Sequence, residues 1–163
     1  MSAVRFRQAG PEDAGVILRF IRALADYEQM ADQVVATEEL LRAQLFEKNA
    51  AKVIFAMEGE KEVGFALYFH NFSTFLGRAG LYLEDLFVLP EYRGRGYGKA
   101  LLARLAAIAV EEGCGRMEWV CLDWNRPSID FYKSKGAVPV DGWTIYRLTG
   151  YALTEFAKEN GRG

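Results

Sequence analysis

The chain has 163 residues, of which 51% are hydrophobic, and this length supports one sizeable core and one domain over residues 1–163. Its 20 basic and 22 acidic residues give a net charge of -2, which excludes the strongly basic surface that nucleic-acid binding needs. The two cysteines have the spacing of neither a disulfide framework nor a zinc site. No apolar run approaches the roughly 18 residues of a membrane span. We therefore expect a soluble, cytoplasmic protein without nucleic-acid or membrane partners.

The first third of the chain predicts a strand followed by two helices. Residues 4–7 alternate apolar and charged side chains as a half-buried strand does, and Gly10-Pro11 marks the turn into a helix. Apolar residues then recur with helical period from about Pro11 to Tyr27. Thr37 is a suitable N-cap for a second helix. The buried face of that second helix is predicted to contain Leu40, Leu41, Leu45 and Phe46.

The middle of the chain changes to the period of β-strands. Residues 53–57 and 63–69, on either side of a polar turn at 58–62, predict a β-hairpin. Residues 81–88 form a further apolar, β-rich segment, and a helix rich in alanine and leucine is predicted over 99–112.

The last third continues this alternation of strands and helices. A strand is predicted over 117–122, a short helix from Pro127 that ends at Gly136, and a final strand over 143–148. The strand, helix and strand around the middle of the chain have the order of a βαβ crossover. We therefore predict an α/β fold with one mixed, partly parallel central sheet flanked by helices.

A glycine-rich loop at residues 93–98 joins the predicted strand 81–88 to the next helix. Glycines at alternate positions allow backbone N–H groups to approach an anion at the helix N-terminus. The Gly-Lys-Ala at 98–100 lacks the hydroxyl that a magnesium-dependent phosphate loop needs, and the glycine spacing differs from that of dinucleotide-binding loops. A tight basic turn without a ligand would contain the same residues. The loop by itself therefore indicates only a candidate phosphate site.

Residues 81–102, which contain this loop, closely resemble motif A of the GNAT superfamily of acetyltransferases. Arg93, Gly96 and Gly98 fill the family pattern Arg/Gln-x-x-Gly-x-Gly/Ala, and residues 125–136 resemble the family's second cofactor-contacting element. Over most of its length the chain is also similar to the spermidine/spermine and thialysine N-acetyltransferase branch. The segments that it shares with that branch are Leu24-Ala25-Asp26-Tyr27-Glu28 and Tyr82-Leu83-Glu84-Asp85.

This resemblance implies an N-acetyltransferase that takes its acetyl group from acetyl-CoA and needs no metal. It implies the GNAT fold, whose sheet splays between strands four and five so that the pantetheine arm pairs with strand four. It also implies a homodimer and, as acceptor, a small cationic amine such as a polyamine, a diamine or a thialysine-like amino acid. The cofactor-binding residues that it implies are Leu86, Phe87, Val88, Arg93, Gly94, Arg95, Gly96, Tyr97, Gly98, Lys99, Asn125, Arg126, Pro127, Ser128 and Tyr132.

Two carboxylates interrupt the apolar strand before the loop. Alternation would send Glu84 and Asp85 to opposite faces, so at least one needs a ligand or a partner, and an ion pair for one with solvent for the other would satisfy both. With the resemblance, we expect Glu84 to accept the amine proton through water and Tyr132 to protonate the departing thiolate. Without it, Tyr132 would be an amphipathic core residue beside Phe131. The predicted substrate-binding residues are Tyr27, Glu28, Glu84, Asp85 and Asp141.

Other functions would explain parts of this pattern. A non-catalytic acyl-CoA sensor would keep the glycine loop, but the presence of Glu84 and Tyr132 favours an enzyme. A protein or peptide lysine acetyltransferase would need an open groove, whereas the acidic and aromatic residues after the first helix suit a small diamine better. A covalent route through Cys121 is disfavoured because a strand cysteine is usually a small apolar residue, and His70 has no triad motif beside it. The identity of the acceptor amine stays open.

Overall fold

The computed structural model describes residues 3–162, which form five strands and five α-helices. The strands are β1 (Arg5–Gln8), β2 (Lys52–Glu58), β3 (Lys61–Ser73), β4 (Arg78–Val88) and β5 (Met117–Trp119). The helices are α1 (Ala14–Tyr27), α2 (Glu38–Arg42), α3 (Tyr97–Glu111), α4 (Arg126–Ser134) and α5 (Gly150–Ala157). The chain falls into two compact units, with the division between Val120 and Cys121. The single domain expected from the sequence stays a prediction.

All five strands belong to the first unit and form one sheet in the order β1-β2-β3-β4-β5. Strands β1 to β4 are antiparallel, and β5 pairs in parallel with β4 between 81–83 and 117–119. The predicted mixed, partly parallel sheet is therefore confirmed. Beyond Leu83, β4 pairs within the described chain only with β3, so its other edge is open from Glu84 to Val88. This opening is the predicted splay between strands four and five.

One face of the sheet is covered by α1. Ile17 and Phe20 of this helix are buried against Phe55, Phe65 and Phe87 of the sheet. The rings of Phe20 and Phe65 are stacked with their centroids 5.0 Å apart. The apolar residues that recur with helical period in α1 therefore form the side of the core that faces this surface of the sheet.

The opposite face of the sheet is covered by α3. Gly64 precedes Phe65 on β3, so its Cα hydrogen points to the face away from α1. A Cβ added to Gly64 would lie 3.1 Å from Cδ1 of Leu101, which shows how closely α3 approaches the strand. The buried residues of α3 are Leu101, Leu102, Leu105, Ile108 and Ala109.

A half-buried ion network joins the start of α1 to the sheet, and sequence reasoning did not predict it. Arg7 of β1 lies 2.8 Å from the carboxylate of Asp13 and 2.7 Å from that of Glu62 on β3. Asp13 also accepts a hydrogen bond from the Gly10 backbone N–H. The hydrogen bond from Arg7 lowers the pKa of the buried Asp13 carboxyl below its ordinary value, although burial opposes this shift. The network therefore stabilises the ionised carboxylate.

The predicted buried face of the second helix is wrong at one position. Thr37 caps α2 as predicted, since its Oγ1 accepts a hydrogen bond from the N–H of Leu40 at 3.1 Å. Leu40 itself is 52% exposed, whereas Leu45 is buried. Helix α2 continues into a π-helical turn at Ala43–Glu47, and the packed stripe contains Leu41, Leu45 and Phe46 but not Leu40.

The predicted strands of the last third are shorter than expected or absent. The strand predicted over 117–122 ends at Trp119, and residues 143–148 form no strand in the described chain. Trp143 and Tyr146 in this segment are 83% and 93% exposed. A strand needs a neighbour for its backbone hydrogen bonds, and no ladder in the described chain includes this segment. Helix α5, which was not predicted, follows it.

Candidate active site

The glycine-rich loop reaches α3 through two residues in the left-handed conformation. Gly94 has φ 78° and Gly96, the N-cap of α3, has φ 88°. A Cβ added at either position would meet no atom within 4 Å, so the backbone on this side is open. The loop therefore fits a phosphate group at the N-terminus of a 15-residue helix.

Basic side chains surround this loop. Arg95 and Lys99 are exposed, and Arg95 lies 3.5 Å from Glu58 and 5.2 Å from the ring centroid of Tyr92. The ring of Tyr97, at the start of α3, is edge-on to Tyr92. Exposed positive charge at a helix N-terminus favours an anionic ligand, because the helix dipole acts in the same direction.

The third basic residue, Arg93, has a different environment. Its Nε donates a hydrogen bond to the carbonyl oxygen of Val88 at 3.1 Å. Its guanidinium lies 5.1 Å from the ring centroid of Tyr27 and 4.9 Å from that of Phe87. The structure thus brings together two predicted cofactor-binding residues of β4 and a predicted substrate-binding residue of α1. Arg93 packs the glycine loop onto this cluster.

Strand β4 contains a β-bulge at Glu84. Asp85 pairs with Leu67 and Leu83 pairs with Tyr68, so Glu84 is the extra residue on β4. Because Leu67 and Tyr68 are adjacent on β3, they face opposite sides of the sheet, and so do Leu83 and Asp85. The alternation that would place Glu84 and Asp85 on opposite faces therefore does not hold here.

The carboxyl group of Asp85 lies on the α1 face, two residues before the buried Phe87. Burial, together with the charges of Glu84 and Glu28, raises its pKa to about 6. Burial also raises the pKa of Glu28, which follows the last residue of α1. Three predicted substrate-binding carboxylates therefore form one mutually repelling group, which a cation would stabilise.

Tyr82 is a neighbour of this group that sequence reasoning missed as a site residue. Its ring packs with that of Phe69 at 5.1 Å between centroids. Burial raises the pKa of the Tyr82 phenol, and the charge of Glu84 contributes to that shift. Tyr82 belongs to the Tyr-Leu-Glu-Asp segment, but only the register of β3 and β4 shows that it shares the face of Asp85.

The second predicted cofactor element forms α4 of the second unit. Asn125 is the N-cap of this helix, and its Oδ1 accepts a hydrogen bond from the N–H of Ser128 at 3.4 Å. Pro127 lies in the first turn, and Gly136 has φ 92° just after the end of the helix. The predicted start and end of this helix are therefore confirmed.

Two further predicted residues also belong to the second unit. Tyr132 is half-buried in α4, with its ring 5.9 Å from that of Phe131, and Asp141 is exposed in a turn. The roles of both residues stay predictions. Among residues 3–162, no helix combines the length and the apolar character needed to cross a lipid bilayer.

Comparison with protein families gives one match that spans both motifs. The profile of the Acetyltransferase (GNAT) family matches residues 18–137. Thialysine N-epsilon-acetyltransferase of Sus scrofa is 40% identical to this chain, and the alignment covers 96% of the chain and 99% of that protein. L-ornithine N5-acetyltransferase of Arabidopsis thaliana is 32% identical, with 96% of this chain and 89% of that protein covered.

Solved structures agree with this match. An integron cassette protein from the mobile metagenome of V. cholerae aligns with a TM-score of 0.80 and 31% identity over 97% of this chain and 99% of its own. An aminoglycoside acetyltransferase from an uncultured soil metagenomic sample has the same fold, with a TM-score of 0.75 and 20% identity over 90% of this chain and 97% of its own. With its mixed sheet, its glycine loop and its near full-length relatives, the chain belongs to the acetyltransferase (GNAT) family and is an N-acetyltransferase.

Proposed function

We propose that this enzyme transfers the acetyl group of acetyl-CoA to the terminal amine of a small cationic acceptor, either a thialysine-like amino acid or a di- or polyamine. The observation that carries this proposal is the carboxylate group formed by Glu28, Glu84 and Asp85. A half-buried carboxyl with a pKa of about 6 beside two further acidic groups favours a positively charged ligand over a neutral or anionic one. Tyr27, beside this group on the chain, and Asp141 are proposed to complete the acceptor site.

The glycine loop fits the pyrophosphate of acetyl-CoA. The open backbone at Gly94 and Gly96 and the exposed charges of Arg95 and Lys99 support this assignment. The unpaired edge of β4 at 86–88 suits an extended pantetheine arm, which would hydrogen-bond there as an added strand does. Acetyl-CoA, when bound, supplies the thioester from which the acetyl group is transferred. The remaining proposed contacts come from Arg93, Tyr97, Gly98, Asn125, Arg126, Pro127 and Ser128.

The acceptor must lose a proton before it reacts. An alkyl amine with a pKa near 10.4 is almost entirely an ammonium ion at pH 7, and deprotonating it costs about 4–5 kcal/mol. We propose that Asp85 and Glu28 hold the cation and that Glu84, exposed at the bulge, accepts the proton through water. The amine nitrogen then attacks the acetyl carbonyl carbon, and the C–N bond forms as the C–S bond breaks. Tyr132 is proposed to donate a proton to the departing thiolate, and the second proton that the nitrogen loses on forming the amide restores the Tyr132 phenol.

The relatives favour amino acids within this substrate class. Those with the most complete coverage are named for thialysine or for L-ornithine. A relative named spermidine/spermine N(1)-acetyltransferase-like protein 1, from Homo sapiens, is 33% identical, but the alignment covers only 24% of that protein. We therefore propose a terminal amine on an amino-acid side chain as the preferred acceptor, with diamines and polyamines as weaker substrates.

The test is acetyl-CoA turnover, followed as released thiol, with thialysine, lysine, ornithine, spermidine, spermine and a lysine-containing peptide. Glu84→Gln should lower kcat/KM for the best amine by about 100-fold or more while acetyl-CoA affinity stays unchanged. Glu47→Gln is the matched control, because Glu47 is exposed and lies outside this site. Turnover of the peptide alone would instead favour a protein acetyltransferase, and tight acetyl-CoA binding without any turnover would favour a sensor.

We also propose that the enzyme is a cytoplasmic homodimer. Its two cysteines form no disulfide in the described chain, which suits a reducing compartment. The number of large apolar side chains exposed in the second unit supports self-association, because burying them in an interface would remove their apolar surface from water. The exposed large apolar residues after position 137 are Val138, Val140, Trp143, Ile145, Tyr146, Leu148, Tyr151, Leu153 and Phe156.

A further inference from the structure

Three side chains with metal-binding donor atoms meet in the first unit, outside the proposed acceptor site. His70 belongs to β3, Glu112 follows the last residue of α3, and Cys114 lies in the turn that leads to β5. One imidazole nitrogen, one carboxylate oxygen and the sulfur of these residues all lie within 4.8 Å of one another. Nε2 of His70 is 2.5 Å from Oε2 of Glu112. The three donors are therefore close enough to bind one ion without a change of fold.

The backbone holds two of these donors in place. Helix α3 is followed, after its C-cap Glu112, by a glycine in the left-handed conformation, Gly113, with φ 73°. The N–H of Cys114 donates to the carbonyl of Ala109, and the N–H of Gly115 donates to the carbonyl of Ala79 on β4, both at 2.9 Å. The turn that carries Glu112 and Cys114 is thus fixed to the helix on one side and to the sheet on the other.

The third donor lies on the face of the sheet that α3 covers. His70 is two residues after Tyr68, and their rings are edge-on with centroids 6.5 Å apart. Tyr68 is buried, and burial raises the pKa of its phenol. The charge of Glu112 raises this pKa further, whereas that of Arg104 lowers it. The positive charge of Arg104 on α3 would repel a bound metal ion. Arg104 lies 3.5 Å from Glu111, however, and the charge of this carboxylate offsets that repulsion.

We propose that His70, Glu112 and Cys114 bind a divalent transition-metal ion, with Zn²⁺ as the preferred occupant. Imidazole, carboxylate and thiolate are all ligands of Zn²⁺, whereas Mg²⁺ and Ca²⁺ need oxygen donors throughout. Three protein ligands leave a fourth tetrahedral position for water. The ion would connect β3 to the turn before β5, so its role is to stabilise the sheet. It takes no part in the proposed acetyl transfer.

A nucleophilic cysteine is the main alternative use of these residues. Burial raises the pKa of the Cys114 thiol, and the charge of Glu112 raises it further. Reactive cysteines need the opposite environment, one that lowers the thiol pKa. A divalent ion, in contrast, deprotonates a coordinating thiol outright. With an imidazole nitrogen and a carboxylate oxygen within 4.8 Å of its sulfur, Cys114 has the surroundings of a metal ligand and not those of an isolated nucleophile.

The test is a titration of the chelator-treated full-length protein with ZnCl₂ by calorimetry and with CoCl₂ by absorption spectroscopy. We expect one bound equivalent of Zn²⁺, a rise in melting temperature with Zn²⁺, and a thiolate-to-cobalt charge-transfer band. His70→Gln and Cys114→Ser should each raise the Kd for Zn²⁺ at least about tenfold. Cys114→Ser should also abolish the cobalt band. Cys121→Ser, which removes the other cysteine of the chain, is the matched control and should leave binding and the band unchanged.

Two results would overturn the site. One is the absence of saturable Zn²⁺ binding to the wild-type protein, and the other is a Kd that neither His70→Gln nor Cys114→Ser changes. Circular dichroism of each metal-free variant shows whether it is folded. If one of the two variants fails to fold, Glu112→Gln takes its place with the same expected rise in Kd, and an unchanged Kd in that variant would also contradict the proposal.

Discussion

The two compact units of the chain differ in whether their apolar residues are buried or exposed. In the first unit, Phe55 and Phe65 of the sheet are fully buried beneath α1. In the second unit, neither α4 nor α5 contains a fully buried residue, and Trp143 and Tyr146 are almost entirely exposed. The difference shows that apolar sequence does not produce a strand by itself. The first unit supplies its own core, whereas the apolar segment of the second is exposed, and the proposed homodimer would cover it.

The largest expected effect is on the core of the first unit. Phe65→Ala removes a fully buried ring that stacks on Phe20, so we expect the free energy of unfolding to fall by about 3–5 kcal/mol. Urea denaturation followed by circular dichroism measures this loss. Phe75→Ala is the control, because Phe75 is 100% exposed and its loss should change stability by less than about 0.5 kcal/mol. Equal effects of the two substitutions would refute the contrast between buried and exposed apolar residues.

We expect the ion pairs, like the apolar residues, to contribute more to stability in the first unit than in the second. Asp13→Asn breaks the half-buried network around Arg7 and should cost about 2–3 kcal/mol at pH 7. Because the folded-state pKa of Asp13 is lowered, this stability is present above the ordinary pKa of the group and is lost as the pH falls through the folded pKa.

Asp130→Asn supplies the comparison from the second unit. Asp130 lies 3.9 Å from Arg126 in an exposed pair on α4, so its loss should cost less than about 0.5 kcal/mol. Urea unfolding at pH 7 and near pH 3 measures both variants. A cost of Asp13→Asn that is the same at both pH values would contradict the assignment of the network.

A smaller effect is expected at the carboxylate group of the first unit. The folded-state pKa of Asp85 is raised to about 6, so protonated Asp85 is favoured in the fold and stability is lost as the pH rises through about 6. Asp85→Asn should therefore stabilise the protein by about 1–2 kcal/mol at pH 8 and have little effect near pH 4. Glu84→Gln should move the midpoint of this pH dependence toward acid, because it removes one of the repelling charges. An effect of Asp85→Asn that is the same at pH 4 and pH 8 would contradict a raised pKa for this half-buried carboxyl.

The smallest effect on the stability of the single chain is expected in the second unit. The pair of substitutions Trp143→Ser and Tyr146→Ser removes two exposed rings, and at low protein concentration it should change the free energy of unfolding by less than about 0.5 kcal/mol. Light scattering should nevertheless show a dimer for the wild type and a monomer for the variant. Phe75→Ala removes a fully exposed ring from the first unit, and this variant should remain a dimer. A monomeric wild type would contradict the proposal that a second copy of the chain covers this segment.

Local signals in the sequence predicted much of the fold. The helical period that ends at Tyr27 predicted α1, Thr37 predicted the start of α2, and the glycines of the loop 93–98 predicted the start of α3. Each of these features depends on residues within a few positions of one another, so the pattern is visible in one stretch of chain.

The rest depends on residues that are distant in sequence. The bulge at Glu84 exists only relative to β3, and the Arg7 network includes Glu62, 55 positions away. The sequence showed Glu84 and Asp85 as adjacent acids but could not show that Asp85 is the more buried of the two. Helix α5 was missed because its first residue, Gly150, has φ 54° and a glycine there predicts a turn instead of a helix start.

The bulge at Glu84 also means that the sheet does not depend on this residue for the direction of its side chains. Because Leu83 and Asp85 already face opposite sides, deleting position 84 would join them in regular alternation and leave every residue from Arg78 to Leu83 on its present face. Leu81 and Leu83 would stay buried, and the deletion would remove only the exposed carboxylate and the bend of the strand. The extra residue is therefore dispensable for the fold, and its carboxylate is available to the proposed acceptor site.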